Sequence, residues 1–266
     1  MTTLDHESAN PPPTNSSPAK PTRKKSVLVR WFHPVVALLL IGLTVWGFRH
    51  FYLEGRAYPG REIAPPIRGL VIAHASVMAG WLIVFLIQPT LIAIGKKRLH
   101  MAFGLFAAAF AVLVFVLGLV MAVYAARVNP PDNMIFGLPT KAFLAVPIFS
   151  MILFAGFVGA GVRYRKKPAI HRPMMVSATF AMMAAAISRI DAMSNLYIGT
   201  PLEGLYGPFL MTVLVMGLVL VARCAITRSF DRWFAVGFVV LAVASPLIMV
   251  VARTGAWDSF ASLLVP

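Results

Sequence analysis

Long apolar stretches separated by short polar ones recur along the chain from residue 31 to residue 252. Each stretch is 19–26 residues long, and about 20 residues of α-helix cross the hydrocarbon core of a bilayer. A segment that spans lipid must satisfy its own backbone hydrogen bonds, so each stretch is predicted to be a helix. The seven predicted helices cover residues 31–50, 69–94, 101–126, 141–162, 173–197, 207–225 and 233–252.

This pattern predicts an all-α fold, a polytopic membrane helical bundle whose seven transmembrane helices occupy residues 27–254. Residues 1–26 are rich in proline, serine, threonine and lysine, and such a segment buries too little apolar surface to offset the entropy of ordering it. We therefore predict a disordered tail there. Residues 255–266 are predicted to form a short outer tail whose apolar side chains lie along the membrane interface.

Composition supports the membrane assignment. The chain is 59% hydrophobic and 12% charged, with a mean hydropathy of +0.80, whereas soluble domains are about a quarter charged. The net charge of +15 does not indicate nucleic-acid binding, because the basic residues lie between apolar segments, as membrane topology requires. The single cysteine, Cys224, excludes an internal disulfide, and the sequence has no C-x-x-C-H site for covalent haem.

The basic residues also predict the orientation. With the N-terminus inside, sixteen of the 24 lysines and arginines fall on the inner side and seven on the outer side, while Arg189 lies within a span. Inner loops carry such an excess of lysine and arginine. We predict an N-inside, C-outside protein that crosses the bacterial inner membrane several times, with the lipid bilayer as its surroundings.

The second predicted helix carries a stripe of side chains on one face: His74, Met78, Trp81, Phe85 and Gln88 follow helical spacing. An imidazole and an amide indicate that this face looks into the bundle. His74 is predicted to lie about 7 Å below the outer end of its helix. The alternative is a structural histidine, hydrogen-bonded to a neighbouring helix.

His100 opens the third predicted helix and His171 the fifth, so both are predicted at the inner face and at similar depth. Two neutral imidazoles on facing helices can be the axial ligands of a b-type haem, which makes this pair the candidate metal site. Gly104, one turn after His100, leaves room for a flat macrocycle, and Arg172, Lys97 or Arg98 can pair with a propionate. The alternative is that both histidines are interfacial residues beside lipid phosphates.

Arg189 and Asp191 are predicted to lie within the fifth helix, where charge is costly unless paired or hydrated. Their depth is similar to that of His74. If the second and fifth helices are neighbours, His74 can form an outer-half polar site with Arg189 or Asp191. The alternative is a structural ion pair or hydrogen bond.

Part of the chain resembles the transmembrane di-haem b-type cytochromes that pass electrons from ascorbate or similar donors. The resemblance rests on an H-x-x-x-M-x-x-W helix, an L-H-x-x-x-G helix and a later histidine next to a basic residue; these are His74, Met78 and Trp81, then Leu99, His100 and Gly104, then His171 and Arg172. That family uses four histidines on four consecutive helices for two haems. The fourth helix here has no histidine, so the resemblance implies at most one such haem, on His100 and His171. His74 then lacks a partner unless His50 serves.

The overall pattern also resembles a family of uncharacterised bacterial seven-helix membrane proteins. The matching pieces are HASVMAGWLIVFLIQPTLI, RLHMAFG and KPAIHRPMMVSATFAMMAAAISRI. This resemblance supports the seven-helix topology and the choice of candidate site residues, but it implies no particular reaction.

The leading functional hypothesis is a b-type haem or quinone-binding redox module with an electron-transfer partner. It leaves open whether the protein is an enzyme. A small-solute or proton permease is the alternative, motivated by Arg189 and Asp191, although the pattern predicts no broken helix of the kind many transporters show. A non-enzymatic membrane assembly subunit is the third reading.

Overall fold

Residues 27–58 and 61–265 are described by a computed structural model of the chain. The tail predicted to be disordered, residues 1–26, lies outside these residues. The helices that build the fold are α1 Val27–Gly47, α2 Arg49–Glu54, α3 Arg68–Ala93, α4 Lys97–Val128, α5 Thr140–Phe143, α6 Ala145–Arg163, α7 Pro168–Ala181, α8 Ala184–Ile187, α9 Asp191–Ser194, α10 Pro201–Tyr206, α11 Leu210–Thr227, α12 Arg232–Val251 and α13 Gly255–Leu264.

The protein is an all-α, multi-pass membrane bundle. The described residues contain six helices that are long and apolar enough to cross a membrane. Large apolar side chains cover the outside, for example Leu105, which is 79% exposed, and Leu218, which is 70% exposed. Such a surface suits lipid, because hydrocarbon solvates leucine as well as a protein core does.

Two short antiparallel hairpins lie between the helices. Strands β1 (Arg56–Tyr58) and β2 (Arg61–Glu62) follow α2, and strands β3 (Met134–Ile135) and β4 (Leu138–Pro139) follow α4. We call this end of the bundle the hairpin end. The opposite end, where short turns rich in lysine and arginine lead into α4, α7 and α12, is the basic end.

The core lies around Trp81 of α3, whose side chain is 1% exposed. Its ring packs edge-on against Phe154 of α6, with the centroids 5.0 Å apart. Its indole N–H donates to the hydroxyl of Thr179 on α7 over 3.2 Å. Since a buried indole N–H needs a hydrogen-bond partner, this contact fixes α7 against α3 in the middle of the bundle.

The fifth predicted helix, residues 173–197, is not one helix. α7 ends at Ala181, α8 is a single turn, and Ile190 is extended before α9 begins. Through the breaks the amides bond three residues back, as in Ala186 N–H to the Met183 carbonyl at 3.0 Å. Residues 174–198 contain no glycine or proline, so a tertiary contact overrides a sequence that favours helix.

That contact is between α1 and α8. Gly47, the last residue of α1, lies directly against the backbone carbonyl of Ala186, where any side chain would overlap it. At its other end the segment begins beside α4, because His171 of α7 lies next to His100. The broken segment therefore runs from the basic end of the bundle to the hairpin end.

The chain ends in a helix, α13, packed on the hairpin end. Thr254 caps it by accepting the Trp257 N–H over 3.2 Å, and Trp257 is buried. The Trp257 indole donates to the Lys141 carbonyl over 3.2 Å. The predicted outer tail is thus an ordered amphipathic helix, and its position along a membrane interface stays a prediction.

Candidate functional site

His100 and His171 are brought together at the basic end. Each is the fourth residue of its helix, α4 and α7 respectively, and each helix follows a short basic turn. The two ring centroids are 6.3 Å apart, and the ring planes are inclined by 79°. The sequence predicts this pair at similar depth on two helices, and the structure places the two rings next to each other.

Both imidazoles are held in one tautomer by backbone carbonyls. Nδ1 of His171 lies 2.8 Å from the carbonyl oxygen of Gly161, which is in the last turn of α6, where helix carbonyls lack intrahelical partners. Nδ1 of His100 lies 3.2 Å from the carbonyl oxygen of Gln88. A carbonyl only accepts, so Nδ1–H donates in both rings, and each neutral ring keeps a lone pair on Nε2.

Gln88 adds a polar group beside this pair. Its amide nitrogen and oxygen are both buried and have no hydrogen-bond partner in the described part of the chain. A side chain at Gly104 would come within 4 Å only of this amide, at 4.0 Å. The amide is therefore available to a bound group next to His100, whereas the sequence grouped Gln88 only with the stripe of His74.

The donor set fits a haem iron. Metal–nitrogen bonds are about 2.0–2.1 Å, so imidazoles on opposite sides of one ion have centroids about 6 Å apart. A ligating histidine usually donates its other N–H to a carboxylate or a backbone carbonyl, as both rings do here. No group of three or more His, Cys, Asp or Glu side chains suited to a metal ion occurs within the described residues. Two protein ligands suffice for haem, because the macrocycle supplies the others.

His74 lies on α3, where its ring hydrogen-bonds the backbone of Leu117 on α4 and is within electrostatic range of Arg189. Its Nδ1 is buried without a hydrogen-bond partner among the residues described. A site shared by His74 and Arg189 stays a prediction, and a backbone contact already engages the ring of His74. This agrees with the structural alternative for His74.

Arg189 and Asp191 do not lie on one helix as predicted, because the segment breaks between α8 and α9. The Arg189 guanidinium lies over the ring of Phe48, 4.7 Å from its centroid, and donates to the Ala185 carbonyl. Asp191 is 70% exposed at the hairpin end and pairs with Arg49 over 3.0 Å. The prediction that Asp191 lies deep in an apolar helix is wrong.

The sequence reading missed a cavity of about 230 Å³ at the basic end. His33, which the sequence suggests is an ordinary interfacial residue, lines it together with Arg172, Arg223 and Asp231. These residues come from α1, α7, α11 and the turn before α12, so no local spacing marks them. The one available signal is that Asp231 is the single acidic residue from Arg223 to Arg232.

Comparisons with protein families, curated proteins and solved structures find no match to this chain.

Proposed function

We propose that this protein is a redox module of the bacterial inner membrane that binds one b-type haem between His100 and His171. The observation that carries the proposal is the pair of imidazoles 6.3 Å apart, each with its Nδ1–H bound to a backbone carbonyl. Such an arrangement leaves two nitrogen lone pairs for one metal ion. The resemblance to di-haem b-type cytochromes agrees with it.

The chain itself holds and orients the group. The Gly161 and Gln88 carbonyls fix the two rings and raise their basicity as ligands. Lys97 or Arg98, in the first turn of α4 just before His100, supplies a cation for a propionate. The haem, when bound, carries one electron at a time, and a quinone or an electron-transfer protein is the proposed partner.

In this proposal the chain crosses the bilayer seven times, with the N-terminus and the basic end inside. The broken segment from α7 to α9 makes the seventh crossing. It is needed because α6 and α11 both run from the hairpin end to the basic end, so the chain between them must return across the bilayer. The excess of lysine and arginine at the basic end supports this orientation. His100 and His171 then lie at the inner face.

The test is the absorption spectrum of the full-length protein, purified after expression with added haem. We expect a Soret band with about one haem per chain, because His100 and His171 are the one histidine pair with this geometry among the described residues. His100→Ala and His171→Ala should each abolish the band, since each removes one of two axial ligands.

His50→Ala is the matched control, because His50 pairs with Glu54 within α2 and lies at the hairpin end. It should keep the full band. A wild-type protein without a Soret band, or a band that survives both ligand substitutions, contradicts the proposal.

A proton or small-solute permease is the second candidate, favoured by the break between α7 and α9. Many transporters place their sites at such discontinuous helices, and Arg189 lies at this one. Proteoliposomes loaded with a pH-sensitive dye would measure proton flux. Loss of flux in Arg189→Ala with an unchanged haem spectrum supports the permease, and absence of wild-type flux contradicts a proton permease.

A further inference from the structure

The cavity at the basic end is separate from the histidine pair, although both involve the first turn of α7. Its walls are His33, Pro168, Ala169, Arg172, Pro173, Arg223 and Asp231. Its volume of about 230 Å³ is several times the roughly 30 Å³ that one water takes in the liquid. It therefore has room for a polyatomic group.

Arg223 is held in place but only partly paired. Its side chain is 14% exposed, and its Nε lies 3.5 Å from Oδ2 of Asp231. Its guanidinium stacks on Phe32, 5.2 Å from the ring centroid. Its Nη1 is buried and has no hydrogen-bond partner in the described part of the chain. The N–H groups of Arg223 Nη1 are thus left as donors for a ligand.

Asp231 does not use up the positive charge of the cavity. Its second oxygen, Oδ1, accepts the Phe234 N–H over 3.2 Å and so caps α12. One carboxylate then faces two guanidinium groups, those of Arg172 and Arg223. The cavity keeps a net positive charge even with His33 neutral.

His33 contributes two further polar atoms. Both ring nitrogens are buried and without a hydrogen-bond partner among the described residues, while the ring packs edge-on against Phe32 with centroids 5.4 Å apart. A neutral imidazole presents one donor and one acceptor, and a charged one presents two donors. A buried polar atom without a partner destabilises the protein, and a bound polar group would supply that partner.

The start of α7 adds to the positive potential. Pro168 and Ala169, its first two residues, form part of the cavity wall. α7 has 14 residues, and the first amides of such a helix carry partial positive charge and bind anions. The amide dipoles and the two guanidinium groups thus act in the same direction.

We infer that this cavity binds a phosphate group. Guanidinium forks match the oxygens of phosphate with paired hydrogen bonds, which a halide ion cannot use. The phosphate belongs either to free inorganic phosphate or to the headgroup of an anionic lipid that reaches the basic end. Both sources present the same oxygens to Arg172, Arg223 and His33. The inference does not depend on haem binding.

The experiment uses the full-length protein in a non-ionic detergent. One arm titrates inorganic phosphate by calorimetry, and the other adds phosphatidylglycerol, with diacylglycerol as the phosphate-free lipid, and counts bound lipid by native mass spectrometry. Arg223→Gln should weaken binding at least about tenfold, because it removes a charge-assisted pair. Arg165→Gln, on the exposed turn before α7, is the matched control and should bind as the wild type does.

Phosphate binding that Arg223→Gln weakens assigns the site to free phosphate, and retention of phosphatidylglycerol alone assigns it to a headgroup. If Arg223→Gln does not accumulate, His33→Ala serves in its place, with a smaller loss expected. Absence of both ligands from the wild type overturns the inference, as does an equal loss in Arg165→Gln.

Discussion

At the basic end, His100 and His171 each spend one ring nitrogen on a backbone carbonyl and keep the other, whereas at the hairpin end Arg49 and Asp191 pair with each other. Polar groups that satisfy one another have no further use for a ligand. Groups that are oriented but incompletely paired can bind one. Arg49 and Asp191 thus stabilise the fold of the hairpin end by pairing with each other, whereas the incompletely paired imidazoles are the groups on which the proposed binding rests.

A layer of buried side chains lies between the two ends. Trp81, Phe154 and Thr179 meet in the middle of the bundle, and Phe154 and Thr179 are fully buried. His74 lies on the hairpin side of this layer, on the same helix as Trp81.

The largest expected effect follows from removing this layer. Trp81→Ala should lower the free energy of unfolding by about 3–5 kcal/mol, through lost contacts and a cavity. Trp46→Ala, at a tryptophan of α1 that is 50% exposed, should cost less than about 1 kcal/mol. Thermal unfolding of both variants in detergent measures the difference. Equal losses would show that the middle layer does not hold the two ends apart.

A smaller effect tests how the hairpin end is held. Gly47→Ala places a methyl group against the carbonyl of Ala186 and should cost about 1–3 kcal/mol by overpacking. Gly42→Ala is the control, since a side chain there has nothing within 4 Å, and alanine favours the helix by about 1 kcal/mol. Denaturation in detergent separates the two. A neutral Gly47→Ala would mean that α1 does not set the position of α8.

The smallest effect concerns the ion pair of the hairpin end. Asp191 is 70% exposed, and exposed pairs contribute about 0–1 kcal/mol. Arg49→Gln, Asp191→Asn and the double variant form a cycle whose coupling energy should fall in that range. A coupling above about 2 kcal/mol would mean that the pair is shielded from water, against the contrast drawn between the ends.

Hydropathy alone predicted six of the long helices to within a few residues at most ends, because crossing hydrocarbon imposes both length and apolarity. Hydropathy could not predict the break in the fifth helix, since Met182, Met183 and the alanines after them favour helix. The close approach of Gly47 to Ala186 is a tertiary contact with a distant helix. Breaks caused by another helix leave no mark in the segment that breaks.

The two sites show the same limit. His100 and His171 were paired from the sequence because each follows a basic turn at the same end of its helix, so depth alone brings them together. His33, Arg172 and Arg223 lie in three distant parts of the chain, and nothing local distinguishes His33 from an ordinary interfacial histidine. Only the packing of α12 against α7, and of α11 against α1 and α12, brings them into one cavity.

One feature of α7 joins the two sites. His171 and Arg172 are consecutive, yet one contacts His100 and the other lines the cavity with Arg223. If a ligand at one of these sites changes the position of the shared turn, the two sites are thermodynamically linked, and any such linkage is reciprocal. An anion in the cavity that strengthened or weakened ligation at His171 would itself be held more or less tightly, by the same factor, when the histidine pair is occupied. The first turn of α7 would then couple the affinity of the cavity for an anion to the occupancy of the histidine pair.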